Sequence, residues 1–114
     1  MRRSDDFART IRSGARGSGR RVVVHLLPGD GPTAGSTPLV GFVVSRAVGS
    51  AVVRTQVKRR LRHQVAARLP LLATGTHVVV RALPPTAGAT SADLGADLDR
   101  ALSVAVRRSR RKAT

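Results

Sequence analysis

Val53, Val57, Leu61, Val65 and Leu69 recur at strict intervals of four. At about 100° of turn per residue, such a row stays on one side of an α-helix and forms a seam that has to be covered. The spacing predicts a helix over 50–69, stopped by Pro70. The seam is mainly valine, short and β-branched, so it suits the face of a sheet better than a lipid surface, which would call for Trp, Phe or Leu. The rest of the chain must therefore supply strands. Three β-branched runs bounded by Gly and Pro do so: RVVVHLL at 21–27, LVGFVVSR at 39–46 and THVVVRAL at 76–83. The Gly-, Pro-, Ser- and Thr-rich residues 28–38 read as a flexible hairpin connection.

Two further helices flank these elements. SDDFARTIRSG carries Ser4 as N-cap, Asp5 and Asp6 at the positive end of the dipole, and Gly14 as its close, with Phe7 and Ile11 on one face. Near the C-terminus, Leu94, Leu98, Leu102 and Val106 form a second i+4 row behind Thr90 or Ser91 as cap, with acids early and bases late. The order is α-β-β-α-β-α, with one more short strand near 15–20. That is an α/β fold of the α+β sandwich kind, one small sheet covered by helices. Residues 1–114 read as a single domain, with 107–114 a basic, frayed tail. Cysteine is absent, and the sequence contains neither a signal-peptide pattern nor an apolar run of membrane-spanning length, so the expectation is a cytoplasmic protein without membrane attachment.

Charge selects the partner. Lys and Arg number 21 against 6 acids, giving a net charge of +15 and a pI near 12.0. A compact chain with that charge repels itself until a polyanion neutralises it, and nucleic acid is the leading candidate. The charge is ordered. Arg54, Lys58 and Arg62 form an i+4 row displaced by one residue from the valine seam, and Arg59 lies further round the exposed surface. Like charges at this spacing oppose one another by about a few tenths of a kcal/mol per pair. The helix holds no Asp or Glu to relieve them, which favours a binding ridge over a solvated face.

These residues carry a resemblance. VGFVVSRAVGSAVVRTQVKRRLR is similar to the core signature of the bacterial ribonuclease P protein component, in which a strand ending in Ser-Lys/Arg leads through Gly-Asn-Ala-Val into a helix patterned Arg-Asn-Arg-x-Lys-Arg-x-x-Arg. Ser45 and Arg46 match the strand end, Gly49, Ala51 and Val52 the turn, and Arg54, Lys58, Arg59 and Arg62 four basic positions. Ser50, Thr55 and Gln56 depart from the pattern, standing for Asn, Asn and Arg. The resemblance implies a ribosomal S5 domain 2-like fold whose basic helix joins two parallel neighbouring strands by a left-handed crossover, where general rules favour a right-handed one. It implies a protein that binds a catalytic RNA, one protein per RNA, and aids Mg²⁺-dependent removal of the 5′ leader of precursor tRNA. In that reading the RNA and its Mg²⁺ carry the chemistry, with RNA contacts at Arg46, Arg54, Lys58, Arg59 and Arg62.

The resemblance also implies a leader cleft between the first helix and the sheet. Phe7 falls on its phenylalanine, while Ile11, His25 and His77 fall where Phe or Tyr is common. Histidine can stack on bases as aromatics do, so His25 and His77 are candidates for the cleft wall; read without the resemblance, they are ordinary strand histidines. No catalytic or metal residue is assigned. The aspartates sit in the first helix, a loop and the last helix, a poor arrangement for two-metal chemistry, and three scattered histidines without cysteine make no zinc site. The alternative reading is a ribosomal or other structural RNA-binding protein.

Overall fold

A computed structural model describes residues 3–27, 39–72 and 75–113, with side chains over 8–27, 40–72 and 75–110. Helix α1 spans Arg3–Ser13, followed by strands β1 (Ala15–Ser18), β2 (Val22–Leu27) and β3 (Leu39–Val44). Helix α2 (Ala51–Ala66) leads through a 3-10 turn at Leu69–Leu71 to strand β4 (His77–Ala82), and a second 3-10 turn at Pro84–Gly88 precedes helix α3 (Ser91–Ala113). The hairpin connection expected at 28–38 lies outside the described residues.

The four strands form one mixed sheet in the order β1-β2-β4-β3. β2 is antiparallel to both β1 and β4, whereas β3 and β4 run parallel, Phe42 opposite Val80. α2 is the connection between that parallel pair, as expected. The register sorts the side chains. Val22, Val24 and Leu26 of β2 align with Ala82, Val80 and Val78 of β4, and these join Val57, Leu61 and Val65 of α2 and Leu94, Leu98 and Leu102 of α3 in the core. The opposite face carries Arg16, Val23, His25, His77, Val79 and Arg81, and α1 packs over it on β2 and β4. β2 is thus covered on both sides, which accounts for its run of buried residues.

Four local expectations need correction. α2 ends at Ala66 with Ala67 as C-cap, and Pro70 lies inside the following 3-10 turn. The steric demand of Pro70 on Leu69 disfavours continued α geometry before the proline is reached. α1 already includes Arg3, so Ser4 stands within the helix and not at its cap. α3 runs on to Ala113, so the backbone of 107–113 is helical where a frayed arm was expected. Asp97, read as a helix-start acid, is buried against Arg21, whose backbone N–H and Nη1 donate to Oδ2 at 3.0 and 3.2 Å.

The short β1, with sequence ARGS, owes its place to a small residue. A Cβ at Gly17 would lie 2.0 Å from the carbonyl oxygen of Ala101 and 2.7 Å from the nitrogen of Ala105. Only glycine lets α3 lie this close to the edge strand. Arg108 Nη1 then donates to the carbonyl of Arg16 at 2.8 Å across the same contact.

Candidate nucleic-acid interface

α2 has three working rows. Val57, Leu61 and Val65 are buried on the sheet, with Val53 and Leu69 packed at the margins. One residue back lie Arg60, Gln64 and Arg68, turned toward α3. Arg60 Nη1 donates to Ala89 O at 3.3 Å and Gln64 Nε2 to Ser91 Oγ at 2.7 Å. Arg68 grips Asp99 with both arms, Nε to Oδ1 at 2.7 Å and Nη2 to Oδ2 at 3.1 Å. That fork holds the Asp99 carboxyl below the usual carboxylate range. Arg60 and Arg68 are therefore structural cations, a division that the i+4 spacing of 60, 64 and 68 already contains.

One residue forward lies the ridge. Arg54, Lys58, Arg59 and Arg62 line a single concavity of roughly 300 Å³ together with Val44, Ala51 and Thr55. Arg59, expected further round the surface, joins because the end of β3 supplies the opposite wall at Val44. Among the described residues the Nε of Arg54 is buried without a hydrogen-bond acceptor. An N–H cut off from both protein and water is costly. Helix geometry is secured at the entry, where Ser50 in extended conformation accepts from the Val53 N–H at 3.3 Å and so caps the helix.

The other candidates fall as follows. Thr55 lines the concavity but donates its hydroxyl back to Ala51 O at 2.9 Å. Its oxygen keeps acceptor capacity only, of no use toward a phosphate. Gln56 is exposed and outside the lining, and Arg46 is exposed in the turn that closes from Val48 N–H to Ser45 O at 3.1 Å. The structure does not bring Arg46 into the concavity. Val44 and Ala51 are the lining residues that sequence reasoning did not assign to the site.

On the opposite face of the sheet, His25 and His77 do share one side, beneath α1. They differ in access. His77 is half-buried, whereas His25 is 4% exposed and neither of its ring nitrogens has a hydrogen-bond partner. Burial, reinforced by Arg81 and Arg16 on the flanking strands, pushes the His25 imidazole below its ordinary pKa. Ile11 is partly exposed next to buried Thr10 on α1; the side chain of Phe7 lies outside the described residues.

Among the described residues no group of three or more His, Asp, Glu or Cys comes together as a metal site. The aspartates there are committed elsewhere: Asp97 to Arg21, Asp99 to Arg68, and Asp93 to Thr90, whose N–H it accepts at 3.2 Å while its own N–H donates to Thr90 Oγ1 at 3.1 Å. Hydrogen bonding to the carboxyl from the Thr90 backbone, and next from its side chain, holds Asp93 below its ordinary range. No described helix is long and apolar enough to cross a membrane.

Comparison with known proteins gives this basic fold its relatives. The sequence model of one family, described as Ribonuclease P, matches residues 1–106. A protein of Beutenbergia cavernae named ribonuclease P protein component is 59% identical over 103 residues, covering 90% of this chain and 84% of that one. The protein of the same name from Streptomyces griseus is 53% identical over 107 residues, covering 90% and 87%. Among solved structures, the RNase P protein of Staphylococcus aureus aligns with a TM-score of 0.75 at 21% identity, over 96% of this chain and 95% of that one. That of Thermotoga maritima gives 0.73 at 20%, over 94% of each. At such identities the solved structures speak for the fold, the ribosomal S5 domain 2-like arrangement. The family model and close relatives decide the rest: the chain belongs to the bacterial ribonuclease P protein family, as the protein subunit that joins an RNA in the endoribonuclease that matures the 5′ end of precursor tRNA.

Proposed function

We propose that the concave flank of α2 is where this subunit holds ribonuclease P RNA, with Arg54, Lys58, Arg59 and Arg62 facing phosphates and Arg46 reaching the same RNA from the preceding turn. One observation carries the reading: four cations, Arg54, Lys58, Arg59 and Arg62, converge on one hollow. A guanidinium fork suits phosphate geometry.

The subunit contributes charge and position. Ribonuclease P RNA and precursor tRNA are both polyanions, and the ridge lowers the repulsion between them where they meet. Mg²⁺, held by the RNA, would supply the chemistry at the scissile phosphate. The described part of the chain does not fit that ion, because its carboxylates are committed to Arg21, Arg68 and Thr90. One protein acts per RNA, in the cytoplasm.

The 5′ leader belongs to the sheet face under α1. Ile11 and His77, both reachable from solvent, serve as its direct contacts together with Phe7. His25 is closed off in this conformation, so it supports the cleft floor and meets a base only when α1 lifts. The test is cleavage of precursor tRNA by the cognate RNA at low Mg²⁺, with and without protein. Wild-type protein restores cleavage, and a variant combining Arg54→Ala, Lys58→Ala and Arg62→Ala does not. Full restoration by that variant would place the RNA elsewhere.

A further inference from the structure

α3 carries charge that the α2 ridge leaves unexplained. Arg100, Arg107 and Arg110 are exposed on its outer side. A step of seven residues returns to within about 20° of the same direction, so Arg100 and Arg107 project together, with Arg110 about 60° away. The macrodipole does not account for them as a set. Its influence fades within one turn of a helix end, and with α3 running to Ala113 only Arg110 falls in that turn. Acids do not account for them as a set either: Asp93 and Asp97 on the same helix are engaged by Thr90 and Arg21, and Asp99, which lines the same hollow as Arg107 and Arg110, already has Arg68 as its ion-pair partner. By contrast Arg108, on the side facing the sheet, is tied to the carbonyl of Arg16.

An apolar groove adjoins this row. Leu71, in the 3-10 turn after α2, is 78% exposed, and with Leu72, Leu102 and Val106 it floors a hollow of roughly 420 Å³ that Ser103 and the Arg68-paired carboxylate of Asp99 also line, with Arg107 and Arg110 at its mouth. Paired guanidiniums beside an apolar shelf suit a nucleotide, whose phosphate takes the charge while its sugar and base cover the leucines. A second copy of this chain would bring its own +15 to the same place.

The two basic surfaces face different ways. The ridge lies on the flank of α2 turned from α3, beside β3, whereas α3 lies on the same face over β1 and β2, toward the other edge of the sheet. Two helices of about 10 Å diameter side by side put their outer flanks on the order of 20 Å apart. That exceeds about two Debye lengths at physiological salt, so the surfaces act independently. We propose that the outer face of α3, through Arg100, Arg107, Arg110 and the Leu71 groove, is a second RNA-binding surface, and that the subunit thereby bridges two separate segments of ribonuclease P RNA. This rests on the assignment of the α2 ridge to the same RNA.

The experiment exploits the absence of cysteine. Iron-EDTA is tethered to Ser103→Cys, among the α3 arginines, and in a separate protein to Gln56→Cys, on the exposed side of α2. Each is assembled with ribonuclease P RNA and precursor tRNA, and hydroxyl-radical cuts are mapped on both. The expected result is cutting of ribonuclease P RNA from position 103 at sites distinct from those cut from position 56. In parallel, the triple variant Arg100→Gln, Arg107→Gln, Arg110→Gln lowers the slope of log K against log salt by about 2–3, additively with loss of the ridge. Its circular dichroism melt verifies the fold. Cuts from 56 alone with an unchanged slope in the triple variant overturn the second surface and leave the ridge standing. Cuts from 103 confined to precursor tRNA overturn the bridging of ribonuclease P RNA, and cuts from neither position overturn both assignments.

Discussion

Gly17→Ala adds one methyl group where none fits. The new Cβ would lie 2.0 Å from Ala101 O and 2.7 Å from Ala105 N, against an ordinary contact that begins near 3.4 Å. Both obstacles are backbone atoms of α3, so no side chain can swing away and the helix must withdraw by about 1.4 Å. A radial gap of 0.5–1 Å already forfeits about a quarter to a half of the dispersion attraction at a contact. The residues losing it are Leu98, Ala101, Leu102 and Ala105, all in the core. Overpacking alone costs about 1–3 kcal/mol, and with the lost packing about 3 kcal/mol is expected. At an unfolding entropy of about 2.1 cal/mol/K per residue, 114 residues convert this to a fall in Tm of about 12 °C. Gly88→Ala is the control, since nothing lies within 4 Å of a Cβ there, and it should shift stability by less than about 1 kcal/mol. Thermal unfolding followed by circular dichroism reads both. A Gly17→Ala protein melting within 2 °C of wild type would refute the claim that this glycine sets the approach of α3 to the sheet.

Single substitutions Arg54→Ala, Lys58→Ala and Arg62→Ala should each reduce the salt slope of RNA binding by about 0.7–0.9, as read in filter-binding titrations from low to high salt. Stability should fall on acidification through His25. Burial disfavours the charged imidazole in the fold, so the unfolded chain binds the extra proton first, and the contribution is intact above the ordinary histidine value of 6.5 and is lost as pH drops below it. Urea midpoints at pH 7.5 and 5.5 should show this loss, and His25→Phe should shrink it. Asp97→Ala strips Arg21 of acceptors at its backbone N–H and its guanidinium and should cost about 1–3 kcal/mol in urea denaturation with an unchanged m-value, while Asp97→Asn, which keeps an acceptor oxygen, should cost less. Val57→Asp places an unpaired carboxylate at a position with 0% exposure, and the far-UV spectrum should be that of an unfolded chain.

What could be read from the sequence follows the range of the interaction. The α2 seam and the three β-branched strands were legible because helix and strand periods are local. The shared face of His25 and His77 came only through the family resemblance, because it depends on the antiparallel register of β2 and β4. β1 offered only a faint signal, since ARGS holds no β-branched residue and its glycine answers to Ala101, more than eighty residues away. The partner of Asp97 is likewise remote, at Arg21, and no local rule reaches it. The ridge was legible as a row of charge, but its depth depends on Val44 and on the buried Arg54 Nε, which exist only once β3 and α2 are packed. The burial of His25 was hidden for the same reason, because α1 covers it from another part of the chain.

The strand order has a consequence for how the chain is made. β4 sits between β2 and β3, yet both of its neighbours leave the ribosome before it does, with the whole of α2 in between. Until residues 77–82 emerge, neither neighbour has its central partner, and the valine seam of α2 has only part of a floor. At a synthesis rate of about 5–20 residues per second, the interval from the end of β3 to the end of β4 lasts about 2–8 s. Throughout it the arginines of α2 are already in solution among nascent and mature RNA. The last strand to arrive closes the sheet, so assembly with RNA and completion of the fold compete in time, and the order in which they occur is set by when β4 threads between strands made before it.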